Sequence, residues 1–233
     1  MKKLGMIGGT GPESTVDYYQ SIISKFQEET GSKENLPELL IYSINMYKIF
    51  DLLQNNQEEE LAEYLAAAVL SLERAGAEFA VISANTPHIV FDQVQQKVNI
   101  PMISIVEESY RKANQLGLQK IGLLGTQFTM ENDFFKKPFT KSGKEIFVPN
   151  KDEQKFLHGK IVTELEKGIV KEETKKDFLA IVEKLIERHN IEGIVLGCTE
   201  LPMLFKPEDL EIPQLNTVEI HVAKIIEMIL EDA

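Results

Sequence analysis

The feature that most limits how this chain can fold is an internal repeat. The segment Leu72-Glu73-Arg74-Ala75-Gly76-Ala77-Glu78-Phe79-Ala80-Val81-Ile82-Ser83-Ala84 aligns without gaps to Ile186-Glu187-Arg188-His189-Asn190-Ile191-Glu192-Gly193-Ile194-Val195-Leu196-Gly197-Cys198. Each copy reads as a helix end bearing Glu-Arg, a turn, a glutamate and a buried strand. Upstream, Leu4-Gly5-Met6-Ile7-Gly8-Gly9 matches Ile121-Gly122-Leu123-Leu124-Gly125-Thr126, and downstream Asn99-Ile100-Pro101 matches Glu211-Ile212-Pro213. The spacings agree: Gly5 lies 79 residues before Ala84, and Gly122 lies 76 before Cys198. Three matches in one order at near-equal spacing point to duplication. They predict two similar lobes, 1–103 and 104–213. The remaining segment, 214–233, carries a helical pattern at Thr217–Leu230 that is expected to pack back on the first lobe and so to belong to it.

Inside each lobe, short apolar runs alternate with longer helical patterns. Leu4–Ile7, Leu39–Ile44, Phe79–Ser83, Met102–Ile105, Lys120–Leu124, Glu145–Val148 and Gly193–Leu196 read as strands. Glu58–Ala75 carries Leu61, Leu65, Ala68 and Leu72, and Lys176–His189 carries Leu179, Val182, Leu185 and Ile186, both at helical spacing. Such alternation predicts the α/β class, here two pseudo-symmetric lobes, each a mainly parallel sheet flanked by helices. The strand runs lack period-two polarity, which predicts strands covered on both faces. Equivalent strand ends of two such lobes are expected to face each other across a cleft, where α/β sheets bind ligands. Ala84 and Cys198 hold matching positions in that scheme.

Charge and cysteine usage narrow the chemistry. With 25 Lys+Arg against 37 Asp+Glu the net charge is −12 and no basic patch stands out, which argues against nucleic acid and anionic membranes as partners. A lone cysteine, Cys198, excludes a disulfide within one chain and any site built from several thiolates of one chain. No apolar run reaches the length of a membrane span. The stretch after Met1-Lys2-Lys3 is broken by Gly5, Gly8, Gly9 and Pro12, unlike a signal peptide, so a cytoplasmic protein is expected.

Three motifs on strand-to-helix junctions carry a resemblance. Gly8-Gly9-Thr10-Gly11-Pro12-Glu13-Ser14-Thr15, Asn85-Thr86-Pro87-His88 and Gly197-Cys198-Thr199-Glu200 together resemble the aspartate/glutamate racemase superfamily, nearest its aspartate racemase branch. The likeness runs over essentially the whole chain. It implies two related α/β lobes, racemisation without pyridoxal phosphate, metal or any other cofactor, an amino acid or dicarboxylate as the small-molecule partner, and a homodimer. It also implies two thiols working on opposite faces of the substrate Cα, one from each lobe. Cys198 matches the second. The first-lobe position is Ala84, whose methyl group can neither give nor take a proton.

Around that pair the sequence offers supporting groups. A turn that leaves a buried strand and leads toward a helix would favour the Cys198 thiolate through backbone N–H groups and the helix dipole. The Gly8–Gly11 loop lets backbone amides, including those of Gly9 and Thr10, approach an anion; it lacks the spacing of a dinucleotide fingerprint. Asn85, Thr86 and Thr199, with Thr126 and Thr129 in the matching second-lobe turn, are candidate donors to a substrate carboxylate. His88 is expected to support the site from behind, and Glu200 to orient a proton transfer. Arg74 and Arg188 fall at matching helix ends as structural residues, so the candidates for a side-chain carboxylate are Lys48 and Lys160, less apt readers than an arginine fork.

Together these features read as an aspartate- or glutamate-type racemase, slow or one-sided because of Ala84. A decarboxylase of malonate type, using Cys198 alone to protonate a carbanion, is the enzymatic alternative. A ligand-binding homologue with impaired catalysis is the third.

Overall fold

A computed structural model describes residues 1–231. The described chain divides into two compact units, Met1–Ile105 with the segment from Val218 onward, and Val106–Thr217. In the first unit the order is β1 (Leu4–Gly8), α1 (Pro12–Thr30), β2 (Leu39–Ser43), α2 (Met46–Gln54), α3 (Glu58–Arg74), β3 (Phe79–Ile82), α4 (Phe91–Gln95) and β4 (Met102–Ile103). In the second it is α5 (Ile105–Gln115), β5 (Lys120–Leu124), α6 (Gln127–Glu131), α7 (Lys137–Lys141), β6 (Glu145–Phe147), α8 (Lys151–Thr163), α9 (Glu172–His189), β7 (Gly193–Leu196) and β8 (Gln214–Asn216). The helix α10 (Thr217–Leu230) then returns to the first unit.

Each unit holds one four-stranded sheet with every pairing parallel, in the orders β2-β1-β3-β4 and β6-β5-β7-β8. These are the same order under the repeat. Register agrees as well: Leu4 pairs with Phe79 as Ile121 pairs with Gly193. Hydrogen bonds repeat between equivalent atoms. The amides of Ala80 and Ile194 donate to the carbonyls of Pro101 and Pro213, both at 2.9 Å. Those of Ser83 and Gly197 donate to Ile7 and Leu124 at 3.1 and 2.7 Å. The repeat glutamates do one job twice, accepting backbone N–H groups where the central strand begins: Glu78 from Lys3 at 2.7 Å, Glu192 from Gln119 and Lys120.

The helices form where the apolar side chains fall on one face. In α1, Tyr18, Ile22 and Phe26 recur every fourth residue and are buried, and Pro12 opens the helix where its missing N–H costs nothing. In α3, Leu61, Leu65, Ala68 and Leu72 form the buried stripe, with Glu58, Glu59 and Glu60 in the first turn against the positive end of the dipole. A capping box between Asn150 and Glu153 starts α8. One core joins Ile7, Ile82, Leu65 and Val69; the other joins Leu124, Ile194, Leu196, Phe178 and Cys198.

Three expectations change. The edge strands β2 and β6 are not covered on both faces: β2 is half-buried to exposed along its length, because a strand at the margin of a sheet meets solvent. The strand β8 is an addition to those expected, since Gln214-Leu215-Asn216 offers one apolar residue to a strand pattern. The helix expected from Lys176 begins at Glu172, where the acidic pair Glu172-Glu173 sits in the first turn.

Candidate functional site

In the second unit β7 ends at Leu196, and the chain turns through Gly197, Cys198, Thr199 and Glu200 into a 3-10 turn at Leu201–Met203. A Cβ on Gly197 would lie 2.8 Å from the Leu124 carbonyl, so only glycine lets the turn pass that close to β5. Cys198 is buried within the apolar cluster, and its Sγ donates to Glu200 Oε2 at 2.8 Å. The Thr199 hydroxyl donates to the same oxygen at 2.9 Å. Burial pushes the thiol well above its ordinary range, and the negative charge of Glu200 adds to the shift. A backbone hydrogen bond from Glu200 does favour the thiolate, as expected, but burial and the Glu200 carboxylate outweigh it, so the net effect runs against the expected thiolate. The chain leaves Cys198 through a three-residue turn rather than a full helix, and the group nearest the sulfur is a carboxylate.

Beside it, Thr126 caps α6 by accepting the Thr129 amide, and the two hydroxyls lie 3.2 Å apart. Thr129 is only 1% exposed, and its methyl packs where side chains on Gly125 and Gly197 would otherwise stand. It supports the cysteine turn from beneath. Lys160 is held by Glu164 at 2.8 Å, in a cluster with Lys171 and Thr174 that keeps the Glu164 carboxyl down at about 2.

In the first unit the equivalent strand end is Ser83-Ala84-Asn85-Thr86. Ser83 is buried and donates to the Ile7 carbonyl at 3.0 Å, while Ser14 donates to the Ser83 carbonyl at 2.9 Å. Ala84 is half-buried, and its carbonyl accepts from His88 Nδ1 at 2.9 Å. His88 Nε2 in turn accepts the Ile105 amide, which assigns the proton to Nδ1. Burial lowers the His88 pKa to about 4, so it is a neutral prop for residue 84. Asn85 stands apart: it is 5% exposed, and neither its Nδ2 nor its Oδ1 has a hydrogen-bond partner. A buried amide without partners is costly, so this side chain is built to meet something else.

The glycine loop is tighter than its sequence implied. Gly9 has φ +73°, and a Cβ there would lie 2.4 Å from the Ile44 carbonyl. Its amide already donates to Thr15 Oγ1 at 2.8 Å, and that hydroxyl donates to Gly11 O at 2.9 Å. The Gly9 amide is therefore not free for an anion. Thr15, which its sequence position alone does not single out, is the residue that fastens the loop. Thr10 is half-buried, with its hydroxyl 3.5 Å from that of Ser83. Lys48 extends over the Tyr64 ring at 4.1 Å. Among the described residues no group of three or more His, Cys, Asp or Glu is placed to hold a metal ion.

Two parallel sheets of the same strand order, each closing its third strand in a polar turn, define an α/β protein of two similar units. The model of the Asp/Glu/hydantoin racemase family matches residues 7–225, and the chain belongs to that family. It is 23% identical over 216 residues to the broad-specificity amino-acid racemase RacX of Bacillus subtilis, covering 92% of both chains. The crystal structure of an aspartate racemase homologue from Pyrococcus horikoshii is 43% identical, with 98% and 99% of the two chains covered and a TM-score of 0.87. The aspartate racemase of Picrophilus torridus, 20% identical over 98% of this chain and 94% of that one, shares the fold at a TM-score of 0.75. The relatives are isomerases of amino acids, and this chain is aspartate-racemase-like.

Proposed function

We propose that the chain is a cofactor-independent amino-acid racemase of aspartate or glutamate type, in which Cys198 moves the Cα proton and position 84 supplies no acid or base. The observation that carries this reading is the hydrogen bond from Cys198 Sγ to Glu200 Oε2 at 2.8 Å, made by the chain's one thiol at a strand end. The thiol proton passes along that bond to the carboxylate. The thiolate then takes the Cα proton, the electron pair left behind spreads into the substrate α-carboxylate, and the reverse steps return a proton to the same face. Asn85 is assigned to the substrate, its Nδ2 donating to a carboxylate and its Oδ1 accepting from the ammonium group. The hydroxyls of Thr10, Thr86, Thr126 and Thr199 are further donors.

Inversion needs a proton on the other face, and a methyl group stands where the family's other thiol would be. Exchange at Cα is therefore expected to outrun inversion, since one positioned acid contributes about 10²–10⁴-fold. The same pairing of a protonated Cys198 with Ala84 favours a second reading. In a malonate-type decarboxylation the bond to one carboxyl breaks, CO₂ leaves, and the electron pair on carbon takes the Cys198 proton.

Proton NMR in D₂O with each enantiomer of aspartate and glutamate tests the proposal. The native protein should lose the Cα signal faster than it builds the opposite enantiomer, Cys198→Ala should do neither, and Ala84→Cys should raise the ratio of inversion to exchange. Absence of exchange with all four, alongside CO₂ release from a disubstituted malonate, would replace the racemase by the decarboxylase.

A further inference from the structure

Asparagine ahead of a helical turn ordinarily caps it, its side-chain oxygen accepting the amide of the second or third residue. Asn85 stands in that place before the 3-10 turn Thr86–Val90 and makes no such bond. Both amides it could have used are removed. The second residue is Pro87, which has none, and the third is His88, whose N–H donates to the main-chain carbonyl of Asn85 at 3.0 Å. Asn85 itself takes helical angles, φ −80° and ψ −50°, rather than the extended ones of a capping residue. The turn is thus built so that the side-chain amide finds no partner within its own segment.

One residue fixes that arrangement. The ring Nδ1 of His88 donates to Ala84 O at 2.9 Å, while its main-chain amide takes the Asn85 carbonyl. Those two carbonyls belong to the peptide planes before and after Asn85, so both soft dihedrals of Asn85 are pinned. The ring in turn is locked. Nε2 accepts the Ile105 amide at 3.3 Å, Phe91 stacks on the ring with the planes 5° apart, and His221 meets it edge-on. His221 is held by Tyr18 and by the carbonyl of Ile103, two residues before the amide that His88 accepts. A leucine or phenylalanine would fill the same space with no polar atoms to desolvate, so what distinguishes histidine here is the carbonyl and the amide it holds.

We propose that His88 is the positioning residue of Asn85: by holding the peptide groups on both sides, it sets the direction of the Asn85 Cα–Cβ bond and keeps the unpartnered amide aimed at the amino-acid substrate. The role rests on the racemase reading, in which Asn85 meets the substrate carboxylate and ammonium. Those charges are present before and throughout proton transfer, so a misplaced Asn85 raises KM more than it lowers kcat. Tyr18 and His221 act one step further back, by holding the segment that receives the other side of the ring.

Two substitutions split the functions of the ring. His88→Asn puts an amide N–H where Nδ1 was and keeps the bond to Ala84, whereas His88→Gln puts its amide near the place of Nε2 and keeps only the contact with Ile105. Both remove the ring, so a purely structural role would make them alike. In Cα exchange from L-aspartate, His88→Gln should raise KM by about tenfold or more with kcat changed far less, and His88→Asn should recover most of the native KM. The pH at which iodoacetamide titrates Cys198 should move in neither. Equal KM in the two variants, or a loss confined to kcat, would overturn the proposal. The ligand-free protein gives a readout independent of activity. Heteronuclear NMR of the native chain should show His88 protonated at Nδ1 alone, and the Asn85 side-chain amide signals, assigned with Asn85→Asp, should shift in His88→Gln and far less in His88→Asn. Protonation at Nε2, or Asn85 signals that ignore both substitutions, would overturn it as well. If the native protein exchanges none of the acidic amino acids, the racemase reading falls, while the NMR comparison still decides whether His88 positions Asn85.

Discussion

At the scale of single residues, the chemistry turns on what surrounds one sulfur. Cys198 is buried and faces the carboxylate of Glu200, and both facts hold it as a thiol. A carboxylate there has two opposite consequences: its charge raises the thiol pKa, while its oxygen is the place the proton goes. Glu200→Gln separates them. With the charge gone, the alkylation of Cys198 by iodoacetamide should titrate at lower pH than in the native protein. Exchange at the substrate Cα should nevertheless fall by about 10²-fold or more, because the acceptor is lost. A lower titration with undiminished exchange would reduce Glu200 to a structural neighbour. None of this was legible in Gly197-Cys198-Thr199-Glu200 as letters. The same four residues read as a helix start would have given a thiolate, and only the fold-back of Glu200 onto Sγ reverses the sign. Asn85 shows the same limit, since its identity was readable but its lack of partners was not.

At the scale of elements, more could be read, and the reason is the repeat. Strands β1, β3, β5 and β7 are buried along nearly all their length, so they appear in sequence as unbroken apolar runs between turns. The outer strands were harder. β2 and β6 lie at edges, where a strand meets different surroundings on its two sides, and β4 and β8 are two and three residues long. Equivalence between elements also does not extend to packing. Gly5 and Gly122 are matched positions on β1 and β5, but a Cβ on Gly5 would meet the Cβ atoms of Ala77 and Leu72 at 2.8 and 3.1 Å. On Gly122 it would meet the terminal methyls of Ile194 and Ile191 at 2.5 and 2.8 Å, which can rotate away. Gly5→Ala should therefore cost about 1–3 kcal/mol of stability, and Gly122→Ala should stay near neutral, as urea unfolding would measure. Equal costs would mean that the two strands sit in equally rigid surroundings.

At the scale of the whole chain, the first unit is assembled from both ends of the sequence. The amide of Lys2 donates to Ile229 O at 2.9 Å, and α10 brings His221 to a buried place beside α1 and β4. There Tyr18 donates its hydroxyl proton to His221 Nδ1 at 2.9 Å, while His221 Nε2 donates to the Ile103 carbonyl at 3.1 Å. The His88 ring stands edge-on to His221, with centroids 6.5 Å apart. Burial lowers His221 to about 3 and His88 to about 4, and the nearby His88 also lowers His221. Both are thus neutral in the folded chain across the range in which unfolded histidines, near 6.5, take up protons. The unfolded state binds more protons below that value, so this contribution to stability is complete above about pH 6.5 and declines as the pH falls toward 4. Each ring can contribute a slope of up to about 1.4 kcal/mol per pH unit, and the span for His88 alone amounts to roughly 3 kcal/mol. Paired carboxylates such as Glu164 act in the same direction but begin to protonate near pH 4.5 in the unfolded chain, so the interval from 6.5 to 5 belongs mainly to the two histidines. Urea unfolding tracked from pH 8 to 5 should show stability falling through that interval. His88→Gln and His221→Gln should each flatten the fall while lowering stability at pH 8, where the native hydrogen bonds are complete. An unchanged slope in both variants would mean that neither ring stays neutral in the folded chain.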